Sequence, residues 1–184
     1  MRQRFLPVLL LSTLLGCSKS DSNPIIDFGE GEGITYRSAN NLPVGPQDPT
    51  DWTSDAVWNK QERALFPEFS FDLNGSQQPN LVFCTPTYPN PSVGWAHWTA
   101  YSPRPTSGPT TTYSVRAVLV NRKYQTVLRL GPADFNSGNT GITFNLDYIG
   151  AGVSTNELYR LYYVMYNANG LVYKGHGDIR YSPL

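Results

Sequence analysis

One stretch constrains this chain more than any other. It is Leu158–Tyr166 (LYRLYYVMY), followed by Asn167-Ala168-Asn169-Gly170 and then Leu171–Lys174 (LVYK). Aromatic and β-branched side chains favour extended backbone, and a glycine closing a short turn supplies the positive φ that other residues resist. The pattern predicts a β-hairpin. Leu158–Tyr166 is apolar on both faces apart from Arg160, which predicts a strand in the middle of a sheet rather than at its edge.

Other segments repeat the theme. Tyr113–Val120 and Tyr124–Leu130 flank Asn121-Arg122-Lys123, predicting a second hairpin. Phe69-Ser70-Phe71-Asp72-Leu73 alternates apolar and polar, as does Ile142–Tyr148, and a period of two is what a half-buried antiparallel strand needs. Short strands punctuated by Gly, Pro and Asn, almost without helical periodicity, imply an all-β fold. The expected architecture is an immunoglobulin-like antiparallel β-sandwich over residues 67–184. One helix is expected before it, within residues 51–66. Asp51 or Ser54 would cap it, Pro67 would end it, and Trp58, Leu65 and Phe66 would form its apolar face as a lid on an open end of the sandwich.

The first residues have a different character. Arg2 and Arg4 precede the 11-residue apolar stretch Phe5–Leu15, the pattern of a secretory signal and too short to span a bilayer. Leu14-Leu15-Gly16-Cys17 then resembles the lipobox of bacterial lipoproteins. That resemblance implies cleavage after residue 16, lipidation of Cys17, and attachment to a membrane through acyl chains, each buried CH₂ contributing about 0.8 kcal/mol. Small Gly16 and Ser18 also fit plain cleavage after Ser18, which would discard Cys17. Ser18–Pro24 is polar, so residues 17–50 are expected to form a flexible tether and acidic front segment. Its Ser/Lys/Asp composition loosely resembles an export signal that sends lipoproteins to the surface in bacteria with type IX secretion. Together these features imply an outer-membrane, lipid-anchored location, with surface exposure on that last resemblance.

Tyr88-Pro89-Asn90-Pro91 resembles the opening of the immunoglobulin-like C-terminal domains that serve as type IX secretion signals. As residues alone, the two prolines equally well shape a loop between strands.

Charge and chemistry narrow the function. Without residues 1–16 the net charge is −2, which offers nucleic acid no electrostatic footprint. The charge is uneven: residues 17–75 sum to −6 and residues 76–184 to +4. Either an acidic front lies across a basic body or a solvated tether repels itself. If Cys17 carries lipid, Cys84 has no disulfide partner within the chain, and its place after Leu81-Val82-Phe83 suits a small buried hydrophobe. Gly175-His176-Gly177-Asp178 looks like a flexible turn whose His bonds to backbone, short of the three or four donors that a metal requires. No nucleophile elbow, zinc-protease motif or phosphate-cradling loop appears, so no catalytic residue, metal or cofactor is expected.

Binding has a better basis. Trp95, His97, Thr99 and Tyr101 share one face of a strand over Val93–Tyr101, while Gly94, Ala96, Trp98 and Ala100 share the other. Small residues beside Trp98 let a bulky neighbour approach that second face. An aromatic row on a sandwich can stack sugar rings, or its rings can fill a wide core. Trp95, His97, Trp98 and Tyr101 are therefore the candidate ligand-binding residues. The expected function is a non-enzymatic, lipid-anchored structural or protein-interaction component of the envelope, with Pro86–Pro91 and Pro103–Pro109 as contact loops. Surface carbohydrate binding through the aromatic row is the alternative.

Overall fold

The computed structural model describes residues 24–29, 33–103, 109–138, 141–147 and 152–182. Cys17 and the signal segment lie outside these residues, as do Tyr148 and most of the Pro103–Pro109 loop. The chain forms β1 (Thr53–Ser54), a short helix α1 (Lys60–Ala64), β2 (Phe83–Cys84), β3 (Trp95–Tyr101), β4 (Thr112–Asn121), β5 (Thr126–Asn136), β6 (Ile142–Asp147), β7 (Leu158–Asn167) and β8 (Gly170–Arg180). These strands build two antiparallel sheets in a sandwich, one ordered β1-β8-β7-β4-β5 and the other β2-β3-β6. The all-β class expected from the alternation is the class the chain adopts.

Both hairpins form. The β4–β5 turn and the β7–β8 turn lie where the turn residues put them, and Gly170 takes φ 112°. β7 is the central strand of its sheet, and it is buried on both sides because each face has its own cover. Tyr159, Leu161, Tyr163 and Met165 face the three-stranded sheet, while Tyr162 and Val164 face the opposite way. Trp98 fills the space between the sheets with no exposure, 5.1 Å from Tyr163 and 5.6 Å from Phe144. Ala96 and Ala100 on either side of it leave the room this indole needs.

The other face of the large sheet is covered by the front of the chain. Ile26, Phe28, Trp58, Leu65, Phe66 and Leu73 pack there against Val118, Val120, Tyr162 and Val164. The segment expected as a tether over 17–50 is thus in part folded onto the body: Ile26, Phe28, Ile34 and Thr35 are buried, while most of residues 39–50 are exposed. Ile26 and Phe28, two apart in a polar context, pack there because the central strands offer an apolar face without other cover. Polar contacts also join this front to the body. Glu68 pairs with Arg116 at 3.3 Å, Asp55 with His176 at 2.8 Å, and Arg160 donates to the Asp27 carbonyl at 3.1 Å.

The helix is shorter than expected, five residues instead of most of 51–66. Its cap is Asn59, which accepts from the amides of Gln61 and Glu62 while Glu62 reaches back to the Asn59 amide, a capping box. Asp51, expected as a cap, is instead buried and accepts from the amides of Thr35 (2.9 Å) and Asp178 (2.6 Å). No residue of the helix is buried: Trp58, Leu65 and Phe66, expected as its apolar face, flank it instead and are buried on the flat of the sheet rather than over an open end. Phe69–Leu73 is not a strand. Its alternation serves an aromatic cluster, in which Phe69 and Phe71 lie 4.8 and 6.0 Å from Tyr166.

Gly175-His176-Gly177-Asp178 is the middle of β8, not a turn. The glycines face the space between the sheets and make room there: a Cβ on Gly177 would lie 2.2 Å from the Trp52 ring, and one on Gly175 would lie 2.7 Å from the Tyr163 hydroxyl. Lys174, His176 and Asp178 alternate onto the opposite face, beneath the front segment. His176 bonds to the Asp55 carboxylate rather than to backbone.

Candidate ligand-binding face

The outer face of the small sheet has no element of the described chain laid over it in the way the front segment covers the large sheet. Strand periodicity alone puts Trp95, His97, Thr99 and Tyr101 outward along β3 and Ala96, Trp98 and Ala100 inward. The exposures follow that alternation. Trp95 is 42% exposed, His97, Thr99 and Tyr101 are half-buried, and Trp98 has no exposure. Trp98 is thus removed from the candidate row: it belongs to the core, because a side chain one position along the strand points to the other face.

The tertiary pairing adds residues that the row by itself did not contain. β6 runs antiparallel beside β3, setting Asp147 opposite Trp95, Asn145 opposite His97 and Thr143 opposite Thr99. The His97 and Asn145 side chains meet at 2.7 Å, Nδ1 to Oδ1. With the amide oxygen as acceptor, Nδ1 is the donor. Thr99 and Thr143 join their hydroxyls at 2.8 Å. On the other side of β3, Phe83 lies opposite Tyr101 and stacks on it, centroids 5.7 Å apart and planes 24° apart. Tyr88 bridges to His97 with rings 5.4 Å apart.

The result is an open strip with rings at both ends and hydrogen-bonding groups between. At the Trp95 end, a depression of about 350 Å³ is lined by Gly94, Trp95, His97, Asn145 and Asp147, among others. Trp95 and His97 are 5.0 Å apart and inclined by 57°, so they make a shallow V rather than one flat platform. At the Tyr101 end, Gly141 lies so close that a Cβ there would come 2.6 Å from that of Tyr101. In the sequence, the polar alternation of Thr143, Asn145 and Asp147 marked an outward face. Which strand it would sit beside was a matter of long-range pairing.

The remaining chemistry-bearing groups are engaged in holding the fold. Arg160 and Asp178 form a buried two-point ion pair, and Trp58 donates to the Asp55 carboxylate at 2.7 Å. Lys174 is buried, donates to the carbonyls of Asp55 (2.5 Å) and Ala56 (3.0 Å), and lies over the Trp58 ring. Burial lowers its pKa. Cys84 packs against the inter-sheet core, and burial pushes its thiol up to about 11, which keeps it protonated and a poor nucleophile at neutral pH. Among the described residues no group of three or more His, Cys, Asp or Glu side chains is placed to hold a metal ion. Of Tyr88–Pro91, Asn90 is buried and ties the front segment to β8: its amide donates to the carbonyls of Thr35 and Asp178 and its oxygen accepts from the Arg180 amide. Thr87 and Ser92 are buried beside it, while Pro86, Tyr88, Pro89 and Pro91 of the same loop are half-buried.

No family model matches the chain, and no curated protein matches its sequence. Among solved structures, it is similar to a β-glucuronidase from glycoside hydrolase family 2, at 11% identity and a TM-score of 0.35, over 60% of this chain and 12% of that one. It is similar also to β-glucuronidase 2 of Bacteroides uniformis bound to cyclophellitol-6-carboxylate aziridine, at 11% identity and 0.31, over 53% and 12%. The chain thus spans about an eighth of the length of these enzymes, and the activity in their names belongs to them.

Proposed function

We propose that this chain is a non-catalytic envelope lipoprotein, anchored through Cys17, whose small sheet displays a carbohydrate-binding face. One observation carries the binding half: Trp95, His97 and Tyr101 stand on the same open face, interleaved with Asn145, Thr99 and Thr143. A pyranose has an apolar C–H face and an equatorial fringe of hydroxyls, so rings with donors and acceptors beside them satisfy both at once. The anchor half rests on the resemblance of Leu14-Leu15-Gly16-Cys17 to the lipobox.

A contact with another envelope protein is a second reading, and one observation favours it. Leu42 and Val44 are 60% and 56% exposed on the turn that Ser38, Asn41 and Leu42 close by backbone hydrogen bonds.

The test is recovery of the natively processed protein from gently solubilised envelopes, reading the mass of its N-terminal peptide, bound partners and retention on glycan arrays together. An acylated Cys17 with glycan binding that Trp95→Ala abolishes supports the proposal. A stoichiometric protein partner with no glycan binding favours the second reading. An N-terminus beyond Cys17 overturns the anchor.

A further inference from the structure

The edge of a sheet offers a row of backbone donors and acceptors to any strand that can reach it. Among the described residues the edge strands are β1 and β5 of the large sheet and β2 and β6 of the small one. The first three are blunted. β1 and β2 are two residues long, and β5 carries Pro132, an exposed Arg129 and breaks in its register with β4. β6 is different. It runs six residues, and over Ile142–Leu146 it has no proline, no charge and no shift of register.

The phase of the ladder determines which groups point outward. On β3, the backbone of His97 and Thr99 turns to the β2 side: His97 exchanges bonds of 2.8 and 3.0 Å with Tyr88, and Thr99 accepts from the Thr85 amide at 2.9 Å. Backbone groups alternate along a strand, so Ala96, Trp98 and Ala100 bond to β6, at Leu146, Phe144 and Ile142 opposite them. The N–H and C=O of Thr143 and Asn145 therefore point away from β3, and among the described residues they bond to nothing. Apolar cover is short at the same place. Ile142 and Phe144 pack against the inter-sheet core yet stay half-buried, whereas Ala96, Trp98 and Ala100 in the next strand have no exposure.

The edge is complementary to itself. An antiparallel pair centred on Phe144 sets Thr143 opposite Asn145, and Ile142 opposite Leu146, of a second copy. Thr143 and Asn145 carry the outward backbone groups, so each of the two symmetric Thr–Asn pairs exchanges both of its bonds. Phe144 meets Phe144 at the non-bonded position between them, where side chains approach most closely. Asp147 falls opposite Gly141, about 20 Å from its counterpart in the other copy, so the like charges do not meet. Centring the pair on Thr143 or Asn145 instead would leave Asn145 or Ile142 without a β6 residue opposite.

We propose that two copies of this chain pair antiparallel along β6 about a two-fold axis at Phe144, joining their small sheets into one sheet ordered β2-β3-β6-β6-β3-β2. This inference does not rest on the carbohydrate reading. An axis perpendicular to the sheet leaves both outer faces on the same side, so the pair would carry its two β3 rows on one continuous surface.

The experiment is sedimentation equilibrium of the full, natively processed protein in density-matched detergent, from micromolar to millimolar chain concentration, with amide hydrogen exchange followed over the same series. The mass should rise from one chain to two, and exchange at the Thr143 and Asn145 amides should slow by about tenfold or more as it does. Thr143→Pro removes a donor that the single chain leaves unbonded and should hold the protein at one chain, whereas Thr143→Val keeps that donor and should still pair. A mass of one chain at every concentration would overturn the proposal. So would a dimer in which the Thr143 and Asn145 amides exchange as fast as in the single chain, a result read on the unaltered protein even if Thr143→Pro fails to fold. A folded Thr143→Pro variant that pairs as tightly as the unaltered protein would overturn it too, placing the contact elsewhere.

Discussion

Arg160 and Asp178 stand opposite one another in register on β7 and β8, and their side chains close a two-point ion pair at 2.6 Å with 12% and 4% exposure. The same guanidinium donates to the Asp27 carbonyl and lies 5.1 Å from the Phe28 ring. The pair therefore joins the two central strands to the front segment that covers them.

Removing one partner leaves the other buried without compensation. Arg160→Met is expected to cost about 3–5 kcal/mol, read as a fall in the urea midpoint. Arg160→Met with Asp178→Leu should recover much of that loss, because two apolar side chains of similar size impose no unpaired charge. A double variant no more stable than the single would show that the pair's geometry, not its charge balance, is what the fold needs.

Asp51 makes stability depend on pH. Burial, and then the charge of Asp178, raise its pKa from 3.8 to about 7, against the Asp178 and Thr35 amides and the Thr35 hydroxyl, which favour the carboxylate. Arg160, His176 and Asp48 act on the same cluster through Asp178. Between the two values the folded chain holds a proton that the unfolded chain has released. Stability is then full below about pH 4 and declines as pH rises towards about 7, by on the order of 4 kcal/mol from this group. Urea midpoints between pH 4 and 8 should show the decline, and Asp51→Asn should flatten it. An unchanged slope in that variant would assign the decline to Asp178, whose pKa is raised as well by burial.

Gly177 is held small by an indole. A Cβ there would lie 2.2 to 2.4 Å from three atoms of the Trp52 ring, backbone and ring both being hemmed in by β1 and Tyr163. Gly177→Ala should destabilise by about 1–3 kcal/mol through overpacking. In a Trp52→Ala background the same change should cost little, a non-additivity that thermal unfolding of the four proteins would show.

The two tryptophans of β3 should behave in opposite ways. Trp98→Ala empties the inter-sheet core and is expected to cost about 3–5 kcal/mol. Trp95→Ala removes an exposed ring, should change stability by no more than about 0.5 kcal/mol, and should abolish glycan retention. Similar losses of stability for both would place Trp95 in the core and end its candidacy as a ligand contact.

Much of this protein follows from local pattern. The two hairpins, the central place of Leu158–Tyr166 and the division of β3 into an outward aromatic row and an inward Ala-Trp-Ala face are all set by a period of two and by turn residues, properties of neighbours in the chain. Other features depend on partners far away in the chain, and local pattern misled. Phe69–Leu73 alternates like a strand but meets rings instead of a backbone edge, and Gly175–Asp178 looks like a turn until Trp52 and Tyr163 occupy the space over its glycines. Ile26, Phe28, Trp58, Leu65, Phe66 and Leu73 are folded onto the body because the central strands are apolar on both faces, and a second face must be covered by whatever apolar side chains the chain can bring to it. The candidate face has the same origin. Trp95, His97 and Tyr101 were legible as a row, but Asn145, Thr143 and Asp147 join them only through the register of β6 against β3, which hydrogen bonding and core packing determine across more than forty residues of sequence.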